Sequence, residues 1–214
     1  MKRLQISNRG LVFSLLGFFC LTIVITFITP LERTLGGNLR LVYLHGAWAW
    51  TGIVTFCIAG IIGLIALLLR DQNLHGWSRA LGWTGLGFWV TYLPISLAVM
   101  QINWNGLFFD EPRWKVPFTF AVIGILLQAG LLFMNTPWIT SLSNIIFGSL
   151  LMINLIKMDS VLHPNSPVFS SGSSGIKLIF ILLLTSTLIT SGMLTYLWIR
   201  FFPWKETAQF VEEK

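Results

Sequence analysis

His45 and His163 each stand where an apolar, helix-length stretch of chain meets water, His45 within the first residues of 41–69 and His163 just beyond 138–156. Between them, the segment 101–117 carries Trp104, Asp110, Arg113 and Trp114. Neutral imidazole is the standard axial ligand of haem iron, and two imidazoles from opposite sides give a six-coordinate, low-spin site. Arg40, a little more than one helical turn ahead of His45, can pair with a haem propionate, because a guanidinium matches a carboxylate bidentately. Pro164 disfavours helix at the residue before it, so His163 is expected on an extended segment. Trp104 and Trp114 offer flat surfaces for a porphyrin, with Asp110 and Arg113 orienting polar groups. The same tryptophans also fit the aromatic belt of any membrane interface, and for this loop alone that reading is the simpler one. His75 belongs to the opposite face and reads as an interfacial residue.

Such a constellation needs elements that bring its pieces to one face. With 55% hydrophobic and 10% charged residues, the chain is too apolar for an ordinary soluble domain. A bilayer core takes roughly 20 apolar residues per helix. Six stretches qualify: 11–29, 41–69, 80–100, 117–134, 138–156 and 176–202. The expectation is a single all-α domain over 1–214, a polytopic bundle of six transmembrane helices. Met1-Lys2-Arg3 and the apolar run behind it read as a retained first span, because the run is long for a signal core and ends without a small-residue cleavage site. Up-and-down threading then gathers His45, the 101–117 loop and His163 on one face, opposite both termini and His75.

Orientation comes from the basic residues. Lys2, Arg3, Arg9, Arg70, Arg79, Arg200, Lys205 and Lys214 lie on the side of the termini, against Arg33, Arg40, Arg113, Lys115, Lys157 and Lys177 on the other. That bias predicts a multi-pass protein of the cytoplasmic membrane with both termini cytoplasmic. The net charge of +6 is split between the two faces without forming a run, so nucleic acid is not an expected partner.

Mid-depth in the spans there is no Asp, Glu, Lys or Arg, which removes the usual marks of a proton relay or ion path. Gln128, Asn144 and Asn154 read as interhelical hydrogen-bonding groups. Ala59, Gly60, Gly63, Gly82, Gly85 and Gly87 mark places where backbones approach. Pro94 should kink its span, while Pro117 and Pro137 suit a first helical turn. Cys20 and Cys57 read as small buried hydrophobes, lacking the Cys-x-x-Cys spacing of a redox or metal pair. The stretch 170–175, Ser-Ser-Gly-Ser-Ser-Gly, is flexible by composition, either a plain linker or a loop that opens for a ligand.

The segment Arg40-x-x-Tyr43-x-His45, with Ala49-Trp50 following, resembles the first histidine motif of the haem-handling family of cytochrome c assembly proteins, most closely its short six-span CcmC-type branch. Leu162-His163 resembles the second external histidine, and Trp104-x-Gly106 through Asp110 and Arg113 a degenerate form of the family's tryptophan-rich loop. Phe108 and Phe109 stand where the family carries tryptophans, and Ala47 where a proline is usual. The resemblance covers all six spans in order and spacing. It implies a binding and transfer protein, not an ordinary enzyme, that holds haem b at the external face between His45 and His163. It also implies that the haem is presented to an extracytoplasmic haem chaperone, with ABC-type transporter subunits as further partners. The residues by themselves leave two alternatives open: a membrane-anchored b-type cytochrome subunit, or a structural subunit without haem.

Overall fold

A computed structural model describes residues 8–29, 36–158, 168 and 172–202. His163, Pro164 and residues 170 and 171 therefore lie outside the described residues. In hydrocarbon, backbone groups must be satisfied within the chain, and an apolar run does so by coiling into a helix. Six helices follow: α1 (Asn8–Ile28), α2 (Leu39–Leu69), α3 (Gln72–Trp104), α4 (Pro112–Met134), α5 (Pro137–Lys157) and α6 (Ser174–Phe201). Each is long and apolar enough to cross a membrane, and the chain is a multi-pass, all-α membrane protein.

The ends of the elements show how polar residues punctuate apolar ones. Arg70 turns the chain with a left-handed φ of 53°, and the Asp71 carboxylate then accepts the backbone N–H groups of Asn73 and Leu74. Two orphan donors are satisfied by this cap, so α3 starts eight residues ahead of the apolar run that announced it. Asn135, at φ 45°, closes α4, and Pro137 at the first turn opens α5. Ser173 accepts from Ile176 N and caps α6, so the last residues of the serine-glycine stretch belong to a helix start, not a linker.

Two expectations are corrected. α4 begins at Pro112, which leaves Pro117 inside the helix instead of in its first turn. α3 runs unbroken through Pro94 to Trp104. The connection between α3 and α4 is therefore only residues 105–111, with Trp104 closing one helix and Arg113 and Trp114 opening the next.

α2 packs against α3, α5 and α6, and α3 also touches α4, α5 and α6. α1 leans mainly on α6. Among the described residues α4 makes no backbone contact with α2 or α6. One cluster of the core joins Phe56, Leu86, Trp89, Phe120, Phe147 and Leu151; another joins Leu39, Tyr43, Ala47, Phe180 and Leu183. Phe13, Leu126, Phe133 and Ile156 face outward, as expected of a surface solvated by lipid.

Small residues set the helix distances. A Cβ on Gly63 would lie 2.9 Å from the Ser141 carbonyl oxygen, and one on Gly82 would lie 2.8 Å from Asn144 Oδ1. Gly87, by contrast, faces open space. Hydroxyls that the sequence reading passed over lash α6 to three neighbours: Ser186 to Thr22, Thr187 to Thr51, Ser191 to Thr55, and Thr195 to Thr84, at 2.7–2.9 Å. Such pairs contribute roughly 0.6 kcal/mol each within a membrane. Asn154 instead donates to Leu150 O of its own helix, and Cys20 is exposed on the lipid side of α1.

Candidate functional site

The site is built around a proline. In an α-helix the carbonyl of residue 113 would accept the N–H of residue 117, but Pro117 has none to give. The hydroxyl of Tyr92 on α3 reaches the Arg113 carbonyl instead, at 3.4 Å. One turn earlier on α3, Trp89 Nε1 donates to the Pro117 carbonyl at 3.0 Å. These two bonds fix the outer end of α4 against α3, and with it the start of the Arg113 side chain.

Tyr92 also faces α2. Its ring stacks on the imidazole of His45, with centroids 5.0 Å apart and planes 13° from parallel. Gly46, next in the chain, gives room to Phe180 of α6, whose ring edge would lie 3.2 Å from any Cβ there. Between these side chains opens a cavity of about 380 Å³. Its polar lining is His45, Tyr92 and Arg113; Trp50, Trp89, Ile53, Leu155 and Phe180 provide apolar walls, and Met152, Met158 and Val168 close the α5 side. All five of α2 to α6 contribute, so the ends expected to share one face do share it.

Arg113 and His45 thus come together, although the backbones of α2 and α4 make no contact. The remaining candidates among the described residues lie outside the cavity lining. Arg40 turns back toward α1, its Nε donating to Thr29 O at 3.4 Å, which satisfies a carbonyl at the end of that helix. Trp114 is buried against Phe118 and Phe109. Asp110 is fully exposed and pairs with Lys115 at 3.5 Å. Trp104 ends α3 beside the loop, which is drawn back to that helix by the bond from Phe108 N to the Met100 sulfur. His163 lies outside the described residues. Tyr92 and Met158 were not singled out from the sequence. For Tyr92 the available signal was an isolated tyrosine near the outer end of a span, a place where its hydroxyl needs a partner.

At the other end of the bundle His75 is only 4% exposed, its side chain packed between helices and not open to the surface. Its Nδ1 lies 2.6 Å from Ser141 Oγ. Next to it, Asn144 donates to Ser78, and Gln128 donates to Asn144, which ties α3, α4 and α5 together as interhelical glue.

No protein-family model matches the chain, and no curated protein is similar enough to it to count as a relative.

Proposed function

We propose that the protein is a membrane haem-handling protein, with haem b as its cargo, held at the end of the bundle that carries His45. The observation that carries this reading is the joint presence of the His45 imidazole and the Arg113 guanidinium on one apolar cavity. Haem offers an iron that takes imidazole, a flat apolar ring and anionic propionates. The donor set fits those three needs, with His45 for the iron, the walls of Trp50, Trp89 and Phe180 for the ring, and Arg113 for a propionate.

His163 is the proposed second iron ligand, and chain connectivity supports it. Met158 and Val168 both line the cavity, and His163 is midway between them in sequence. Five residues reach at most about 18 Å, which tethers His163 within that distance of the cavity from either side. Trp104, Asp110 and Trp114 frame the neighbouring loop as a docking surface for an acceptor.

By the resemblance to cytochrome c assembly proteins, the acceptor is an extracytoplasmic haem chaperone and the partners include ABC-type transporter subunits. The cavity then faces the exterior of the cytoplasmic membrane, with both termini inside. The test is purification in mild detergent, followed by an absorption spectrum and a haem titration. A low-spin spectrum that is lost in His45→Ala supports the reading; haem uptake unchanged by that substitution refutes it.

A further inference from the structure

At the end of the bundle opposite His45, α4 and α6 stand apart with α3 exposed between them. The crevice measures about 540 Å³, within the range of ligand sites, roughly 300–1,000 Å³. Its floor is Gly76, Arg79, Ala80 and Trp83 of α3, and its walls are Leu132 and Asn135 on one side and Trp198, Ile199 and Phe202 on the other. We propose that this crevice binds one anionic phospholipid, its phosphate at Arg79 and an acyl chain along Trp83, Leu132 and Ile199.

Four observations lead to that occupant. The crevice opens sideways between two membrane-spanning helices, so lipid is what meets it. It lies at the level of the Asn135 turn, where a bilayer places its headgroups. The Arg79 guanidinium is held there by a hydrogen bond to the Phe202 carbonyl, and among the described residues no acidic side chain lines the crevice. The indoles of Trp83 and Trp198 both line the crevice, their ring centroids 6.0 Å apart, and indoles favour the headgroup level of a bilayer. Net charge chooses between lipids: Arg9, Arg70, Arg79 and Arg200 stand at this end with Asp71 as the acidic residue among those described. A lipid with a net negative headgroup is favoured over a zwitterionic one.

The full-length protein, released from vesicles of equal parts phosphatidylglycerol and phosphatidylcholine, would be weighed intact by native mass spectrometry. The expected result is one retained phosphatidylglycerol, enriched about five-fold over phosphatidylcholine, as one basic contact at a membrane surface supplies. Arg79→Gln should bring the ratio to parity. Gly76→Leu should empty the crevice while leaving the fold intact, because a Cβ at Gly76 meets nothing within 4 Å. Equal retention of the two lipids by the wild type, absence of any retained lipid, or a preference that survives either substitution would overturn the proposal. Because none of these readings involves haem, failure here leaves the proposal for the His45 cavity unaffected.

Discussion

Tyr92 bridges two groups on helices whose backbones make no contact, laying its ring flat on the imidazole of His45, 5.0 Å away, while its hydroxyl donates to the Arg113 carbonyl. A metal bonds imidazole through a nitrogen in the ring plane. Stacking occupies the ring face, so it orients the imidazole while remaining compatible with ligation.

His45→Ala should weaken haem binding by at least the roughly 10–100-fold typical of disturbing a ligand's supporting shell. His75→Ala should leave the haem spectrum unchanged, since that side chain lies in the polar network at the far end. Spectral titration of the purified variants checks both, and equal effects from the two substitutions would remove His45 from the site.

Arg113→Gln should lower affinity for haem several-fold while leaving affinity for haem dimethyl ester at the wild-type value. The ester has no propionate charge for a guanidinium to meet. If both ligands lose affinity in parallel, Arg113 acts through the position of α4 instead.

Tyr92→Phe keeps the ring and removes the donor to a carbonyl that Pro117 has already deprived of its usual partner. A loss of about 0.5–1.5 kcal/mol in stability is expected, read as a lower unfolding midpoint in detergent, with the low-spin spectrum retained. Tyr92→Leu should in addition broaden or shift that spectrum, because the imidazole loses its stacking surface.

Gly63→Ala should cost about 1–3 kcal/mol, because the added methyl meets the backbone oxygen of Ser141, which cannot swing aside. Gly87→Ala has open space and gains helix propensity, up to about 1 kcal/mol. Thermal unfolding of the two variants should therefore move in opposite directions.

Single cysteines at Asn38, Asn105 and Asn165 in a Cys-free background should all label with an impermeant reagent from one side of the membrane. Labelling of only some of them would separate His163 from the His45 face.

The architecture was legible because hydrocarbon leaves apolar runs one way to satisfy their backbones, and span parity then fixes which ends meet. Boundaries were less so. Asp71 and Pro112 extended α3 and α4 into polar sequence, where hydropathy gives no signal but a cap and a first-turn proline do. Pro117 illustrates the limit: its type marked a helix start, whereas its consequence, a carbonyl given over to Tyr92, depends on a neighbouring helix that no local window contains. The burial of His75 was not legible for a related reason, since its partner Ser141 is 66 residues away. Arg113 was found by its place beside the loop tryptophans, yet its companionship with His45 required the third helix between them.

The preference of α1 for α6 also bears on how the protein is made. α1 finds its main packing partner, and the hydroxyl pair of Thr22 with Ser186, only in α6, 164 residues further along the chain. At about 5–20 residues per second, the intervening chain takes on the order of ten seconds to emerge. For that interval α1 waits in the membrane while α2 to α5 assemble, and its outward-facing phenylalanines are available to other hydrophobic helices. Completion of the bundle is thus a ring closure between α1 and α6, and a chain without α6 would release α1 as well as the missing helix.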